Sequence, residues 1–351
     1  MIKQGLLAVG LLAALHSTAQ EVSTYIPGAL ENGVVYYLPK TQLKITVKAT
    51  KVTYTPGELC QYANRYLRLQ NVSASANEYW KFDEIKLGSF GIPDAERVFA
   101  IKLKDKTSTS LVDLTDNGII KAINTKSTWK EEKDTPAAKP APKKKVNPRD
   151  FMTEEILMAG SSNKMAELIA QEIYNIRESK NSLTRGQADY MPQDGAALKL
   201  MLENLNKQEK ALTEMFSGTT DYIEKEYTFT VDPSKELKDQ IVFRMSNKLG
   251  ILDKENLAGE PIYINLVKKT NLPPTDEEAK AKKKLEGVIY NVPGKAQVTI
   301  KTAKKTYVEQ EVLVTQFGET EVLTDNLFNK KINTRVMFNP ITGGILKIDK
   351  D

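Results

Sequence analysis

The sequence predicts an α+β protein in which two β-rich, sandwich-like units are separated by a proline- and lysine-rich linker and an antiparallel helical hairpin. Three observations carry this. Apolar residues alternate with period two before residue 130 and again after residue 219. Between them the apolar period becomes helical. The stretch Thr135–Pro148 holds four prolines and, apart from Val146, no large apolar residue, which is the composition of an extended, solvated spacer.

The chain begins with a leader-like segment, residues 1–19. Lys3 supplies a basic start, Gly5–Leu15 an apolar core, and Ser17 and Ala19 the small residues of a cleavage site after Ala19. The apolar core is well short of the roughly 20 residues that cross a bilayer. The expectation is therefore an exported protein with its signal peptide removed, in the periplasm or associated with the outer membrane through partners. No further long apolar run is present, so no transmembrane segment is expected in the mature chain.

Residues 20–130 form the first β-rich domain. Strands are expected at Gly33–Pro39, Leu43–Val47, Lys51–Tyr54, Lys81–Leu87 and Arg97–Leu103. A short helix from about Glu58 to Leu69 interrupts them, with Leu59, Tyr62, Ala63, Tyr66 and Leu67 on one face and Cys60 as packing filler. The linker occupies 131–149. In 150–218, Met165, Leu168, Ile169, Ile173 and Ile176 make one apolar stripe ending near Gly186. Asp194 caps a second helix carrying Leu198, Met201, Leu202, Leu205, Leu212, Met215 and Phe216, closed by Gly218. The strand pattern returns in the C-terminal domain, 219–351, where Thr275–Glu286 reads as a charged helix with acidic residues first and lysines last.

The two β-rich segments echo one another. Gly33-Val-Val-Tyr-Tyr-Leu-Pro39 is similar to Gly287-Val-Ile-Tyr-Asn-Val-Pro293, and Asn117-Gly-Ile-Ile-Lys121 to Gly343-Gly-Ile-Leu-Lys347. This suggests an internal duplication, although such short matches also arise by chance in strand-rich chains.

Composition narrows the chemistry. The sole histidine, His16, lies in the leader, and Cys60 is the only thiol, so the side chains most used for nucleophilic and transition-metal catalysis are nearly absent. No disulfide can form within the chain. The formal charge is +5; removing Lys3 with the leader leaves +4, and Glu131–Asp150 accounts for +2 of that. The remainder is nearly neutral, which argues against a nucleic-acid-binding face. No metal site and no cofactor are expected.

Weak catalytic candidates remain. Ser161-Ser-Asn-Lys164 has the S-x-x-K spacing that sets a lysine amine beside a serine hydroxyl, and its bland alternative is a polar helix start. Asp189 and Asp194 pair carboxylates between the helices, though Asp194 already serves as a cap. Asp113-Leu-Thr-Asp-Asn-Gly118 lacks the ligand alternation of a calcium loop and reads as a hairpin turn. Among the many aromatics, Tyr79 and Trp80 are the binding candidates, because adjacent strand residues point to opposite faces.

Several stretches together, Gly33–Pro39 with Pro56-Gly57 and Tyr62-Ala63, Ile176-Arg-Glu178 with Arg185-Gly186, Met191-Pro-Gln-Asp-Gly195, Met215-Phe-Ser-Gly218 and Gln316-Phe-Gly318, resemble a family of exported proteins found mainly in Bacteroidetes and classed as domain of unknown function 4831. The resemblance implies a periplasmic or cell-envelope setting and brings no catalytic residue. The favoured expectation is a non-enzymatic envelope protein binding protein or glycan partners. The alternatives are a hydrolase of envelope polymers working through Ser/Lys or paired carboxylates, and a carbohydrate-binding module.

Overall fold

A computed structural model describes residues 22–24, 33–102, 112–130, 146–192, 194–269, 287–324 and 334–350. The leader, the linker residues 131–145 and the helix expected at Thr275–Glu286 lie outside the described residues. In chain order the strands are β1 Val22–Thr24, β2 Gly33–Thr55, β3 Asn77–Lys102, β4 Val112–Leu114, β5 Ile120–Ile123, β6 Thr219–Val231, β7 Leu237–Ser246, β8 Gly250–Leu252, β9 Glu260–Lys268, β10 Gly287–Lys301, β11 Thr306–Thr324, β12 Thr334–Phe338 and β13 Ile345–Lys350. The helices are α1 Ala63–Leu67, α2 Glu154–Leu157, α3 Ser162–Thr184 and α4 Gly195–Ser217.

The strands form three antiparallel sheets: a first sheet ordered β1-β3-β2-β6, a second ordered β11-β10-β9-β7-β8, and a third ordered β13-β12-β5-β4. The α+β class is as expected, but the two β-rich segments share sheets. β6 runs along β2 from Thr55↔Thr219 to Leu43↔Val231, and β5 pairs with β12. Alternation along a strand tells which residues share a face; it does not tell which strand lies alongside.

The three strands expected between Gly33 and Tyr54 are one strand, and those at Lys81–Leu87 and Arg97–Leu103, whose last residue lies outside the described residues, belong to another. At about 3.3 Å per residue, a 23-residue strand is long enough to serve more than one core. The first half of β2 contributes Tyr36 and Leu38 to a core with Ile120, Ile123, Val288, Ile289, Val336 and Phe338. The second half contributes Leu43, Ile45 and Val47 to a sandwich core between the first and second sheets, where Phe243 stacks on Phe229 at 4.6 Å. Beyond the end of β2, Leu59 enters a third, helical core with Ile169, Ile173, Leu212 and Phe216, and its N–H donates to Met215 O at 2.8 Å.

The echo in the sequence corresponds to repeated irregularities in the backbone. Pairing runs Tyr37↔Val98 then Pro39↔Pro93, and Val292↔Glu319 then Gly294↔Val314, so in each case β3 or β11 carries three extra residues at the matching proline. The hairpins agree too, with Asp113↔Ala122 then Leu114↔Ile120 in one and Met337↔Lys347 then Phe338↔Ile345 in the other. Tyr37 N–H donates to Gly118 O at 2.9 Å and Asn291 N–H to Gly343 O at 3.2 Å, the two glycines standing at φ 80° and 70°. Gly118 thus corresponds to Gly343, one residue from the alignment the sequence suggests. Bulges are specific devices rather than noise, and two shared ones support a duplicated unit.

The helical hairpin follows its sequence signals. Ser161 caps α3, Asp194 caps α4, and Gly218 closes α4 in a positive-φ conformation. The expected Glu58–Leu69 helix is shorter: a 3-10 turn at Cys60–Tyr62 leads into α1, which ends where Arg68 turns left-handed. Cys60 is half-buried rather than filling the core.

Candidate binding surfaces

Two of the residues proposed from sequence for catalysis, Ser161 and Asp194, are engaged as helix caps. Ser161 Oγ accepts from the Lys164 N–H at 3.2 Å, while Lys164 Nζ turns to Glu167 at 3.3 Å. Asp194 Oδ1 accepts from the Ala197 N–H at 2.7 Å, and Asp189 is exposed in the connection. Asp113 pairs with Lys121 and accepts from the Ser127 N–H. Asp194→Ala is therefore expected to cost about 1 kcal/mol of stability, the worth of an N-cap, measurable by denaturant unfolding. Among the described residues no group of three or more His, Cys, Asp or Glu is arranged to hold a metal ion, and no helix is long and apolar enough to cross a membrane.

An extended polar construction lies where the two bulges meet. A hollow of about 880 Å³ opens between the Asp94–Arg97 and Thr315–Gly318 segments, with Lys40 at its rim. Beneath it the repeats clasp each other. Arg97 binds Asp94 at 2.7 Å, Asn291 Oδ1 at 3.0 Å and Pro39 O at 3.3 Å. Asn291 Nδ2 donates to Pro39 O and Thr342 O. From the other bulge, Gln316 Nε2 donates to Thr41 O at 2.7 Å and Thr41 N–H donates to Thr315 Oγ1 at 2.9 Å. Lys40 pairs with Asp232 at 3.1 Å. These groups satisfy one another, as buried polar groups must, and their arrangement joins the two repeats.

Partial burial pushes the Asp94 carboxyl up, but hydrogen bonds from Arg97 and the Glu96 N–H outweigh it and hold it below the ordinary carboxylate range. A carboxylate depressed in the folded state adds stability that is complete above its unfolded pKa, about 4, and is lost as pH falls through the folded value. Asp94→Asn is accordingly expected to flatten the acid limb of melting temperature against pH below about 4.

A second surface has the opposite character. In the first sheet Val52 pairs with Tyr79 of β3 on one side and Tyr222 of β6 on the other, so all three side chains share one face. That face points away from the sandwich core. On it Lys81, Glu84 and Lys86 of β3 and Glu224, Glu226, Thr228 and Thr230 of β6 are exposed. Tyr79 is 42% and Tyr222 69% exposed, while Val52 between them is buried. Trp80, expected as a platform, faces inward instead: it is 9% exposed, its ring fills the place a side chain at Gly250 would take, and Lys225 Nζ lies 5.4 Å from it. Alternation correctly separates Tyr79 from Trp80 but leaves open which face meets the second sheet. Tyr222 stands at the start of a recognisable strand, yet nothing local indicates that it lies opposite Val52.

A family model described as a domain of unknown function (DUF4831) matches residues 32–346, so the chain belongs to that family. No curated protein and no solved structure matches the chain.

Proposed function

We propose that this DUF4831 member is a non-enzymatic binding protein of the cell envelope, exported with loss of its leader to the periplasm or the outer-membrane surface, where it holds a partner on the outer face of its first sheet. One observation carries the reading. Tyr79 and Tyr222 are displayed together on the outer face of the first sheet, 42% and 69% exposed, whereas Ser161, Asp194 and the bulge residues are occupied by caps and by the clasp. Exposed aromatic side chains grouped on one face are a common mark of recognition surfaces.

The test is co-sedimentation of the purified mature protein with washed envelope from the native cell. Retention is expected, with loss in a Tyr79→Thr, Tyr222→Thr double variant and none in Ser161→Ala or Asp194→Ala. Retention unaffected by the double variant, or labelling of Ser161 by a serine-reactive acylating probe, would count against the proposal.

A further inference from the structure

We infer that Tyr79 and Tyr222 form a two-ring stacking platform for the interior of an extended, β-linked glycan strand lying across β3, β2 and β6. The inference deepens the binding reading of the same face and rests on it. Neighbouring strands stand about 4.8 Å apart, so side chains two strands apart at one level are separated by about 10 Å. That is close to the distance between every second ring of an extended β-1,4-linked polysaccharide, the rings that present the same face. The intervening ring would lie between the two tyrosines at the level of Val52, which is buried.

The flanking side chains suit hydroxyl-rich ligands. On one side of the tyrosine level are Lys81 and Glu224, and Thr50 with its hydroxyl bonded to Asp83. On the other are Asn77 and Thr220 with Tyr54 between them, its hydroxyl donating to Ser73 O and Ser217 O. Lys81 supplies donors, Glu224 acceptors, and Asn77 and Thr220 either. The same composition disfavours a protein partner, because protein interface cores are depleted of charged residues and this face carries lysine or glutamate at most exposed levels. Among the described residues β6 is a sheet edge at this level, and β1 pairs with β3 only at Phe99–Ile101, far along the strand; beside Tyr79 the Trp80 N–H donates to Asn247 O of the turn before β8. A chain crossing the face between these edges need not present a terminus.

The experiment is calorimetric titration of the full mature protein with chitohexaose and cellohexaose, with α-linked maltohexaose as the control. Binding of at least one β-linked hexamer and none of maltohexaose is expected. Tyr79→Thr and Tyr222→Thr, chosen because threonine keeps strand propensity, are each expected to weaken binding about tenfold or more. Leu200→Ser, at an exposed position of α4, is expected to leave it unchanged. Melting temperatures report whether each variant folds, and if either tyrosine variant unfolds, oxidation protection of the wild-type tyrosines by the hexamer replaces it. Absence of binding to both β-linked hexamers, equal binding of maltohexaose, or binding insensitive to both tyrosines overturns the inference. If the hexamers fail while envelope retention still depends on the tyrosines and is abolished by protease treatment of the envelope, the partner is a protein and only the broader binding reading survives.

Discussion

Replacing Gly318 by alanine is expected to cost more than about 3 kcal/mol and to lower the melting temperature accordingly. A Cβ at this position would be driven into the Val292 carbonyl oxygen and would stand 2.8 Å from the Gly294 nitrogen. Both are backbone atoms of β10, which is paired with β11 on either side of the bulge, so neither can swing aside as a flexible side chain would. The close approach is created by the three-residue bulge, and the cost of its loss is the cost of opening the junction between the two cores. Gly160→Ala, at a position with nothing within 4 Å of the added carbon, is the matched control and is expected to be nearly neutral. Equilibrium denaturation of the two variants decides the matter: equal midpoints would mean that β11 does not cross β10 in this way.

Asn291→Leu is expected to have the second largest effect, about 3 kcal/mol or more. The side chain is 1% exposed, accepts from Arg97 and donates to the carbonyls of Pro39 and Thr342. Leucine has the same number and branching of side-chain heavy atoms but none of these bonds. The loss is therefore not a cavity effect. It leaves two buried carbonyls with fewer donors and removes one partner of a guanidinium, and unsatisfied buried groups cost more than the bond itself was worth. Because Asn291 belongs to one repeat and Pro39 to the other, the variant is also expected to reduce the cooperativity of unfolding. Denaturant curves followed separately by tryptophan fluorescence and by far-ultraviolet circular dichroism would then part company. Coincident curves with an unchanged midpoint would show that the clasp contributes little.

Much of the local structure is written locally. Asp194 and Gly218 bound α4 because a carboxylate can accept from the first free N–H groups and a glycine can take the positive φ that ends a helix. Asn117-Gly118 turns a hairpin for a similar reason. Pro39 and Pro293 are less transparent. Each looks like the end of a strand, since proline cannot donate to a ladder, yet each sits at the break in register where a donor is dispensable, and the strand continues. Sheet membership is hidden for another reason. β2 and β6 are separated by 163 residues between Thr55 and Thr219, whose pairing closes the ladder, and period-two alternation is the same whichever strand lies alongside. The platform inherits this limit: alternation puts Tyr79 and Trp80 on opposite faces without telling which faces outward, and the relation of Tyr79 to Tyr222 exists only once β2 has brought β3 and β6 to either side of it.

The most direct measurement of the functional account is hydroxyl-radical footprinting of the tyrosines with and without native envelope. Tyr79 and Tyr222 are expected to lose reactivity on binding. Tyr190, 71% exposed beside Asp189 in the connection between α3 and α4, is expected to keep its reactivity. Protection of Tyr190 with Tyr79 and Tyr222 unchanged would contradict the account and move the working surface to the helical hairpin.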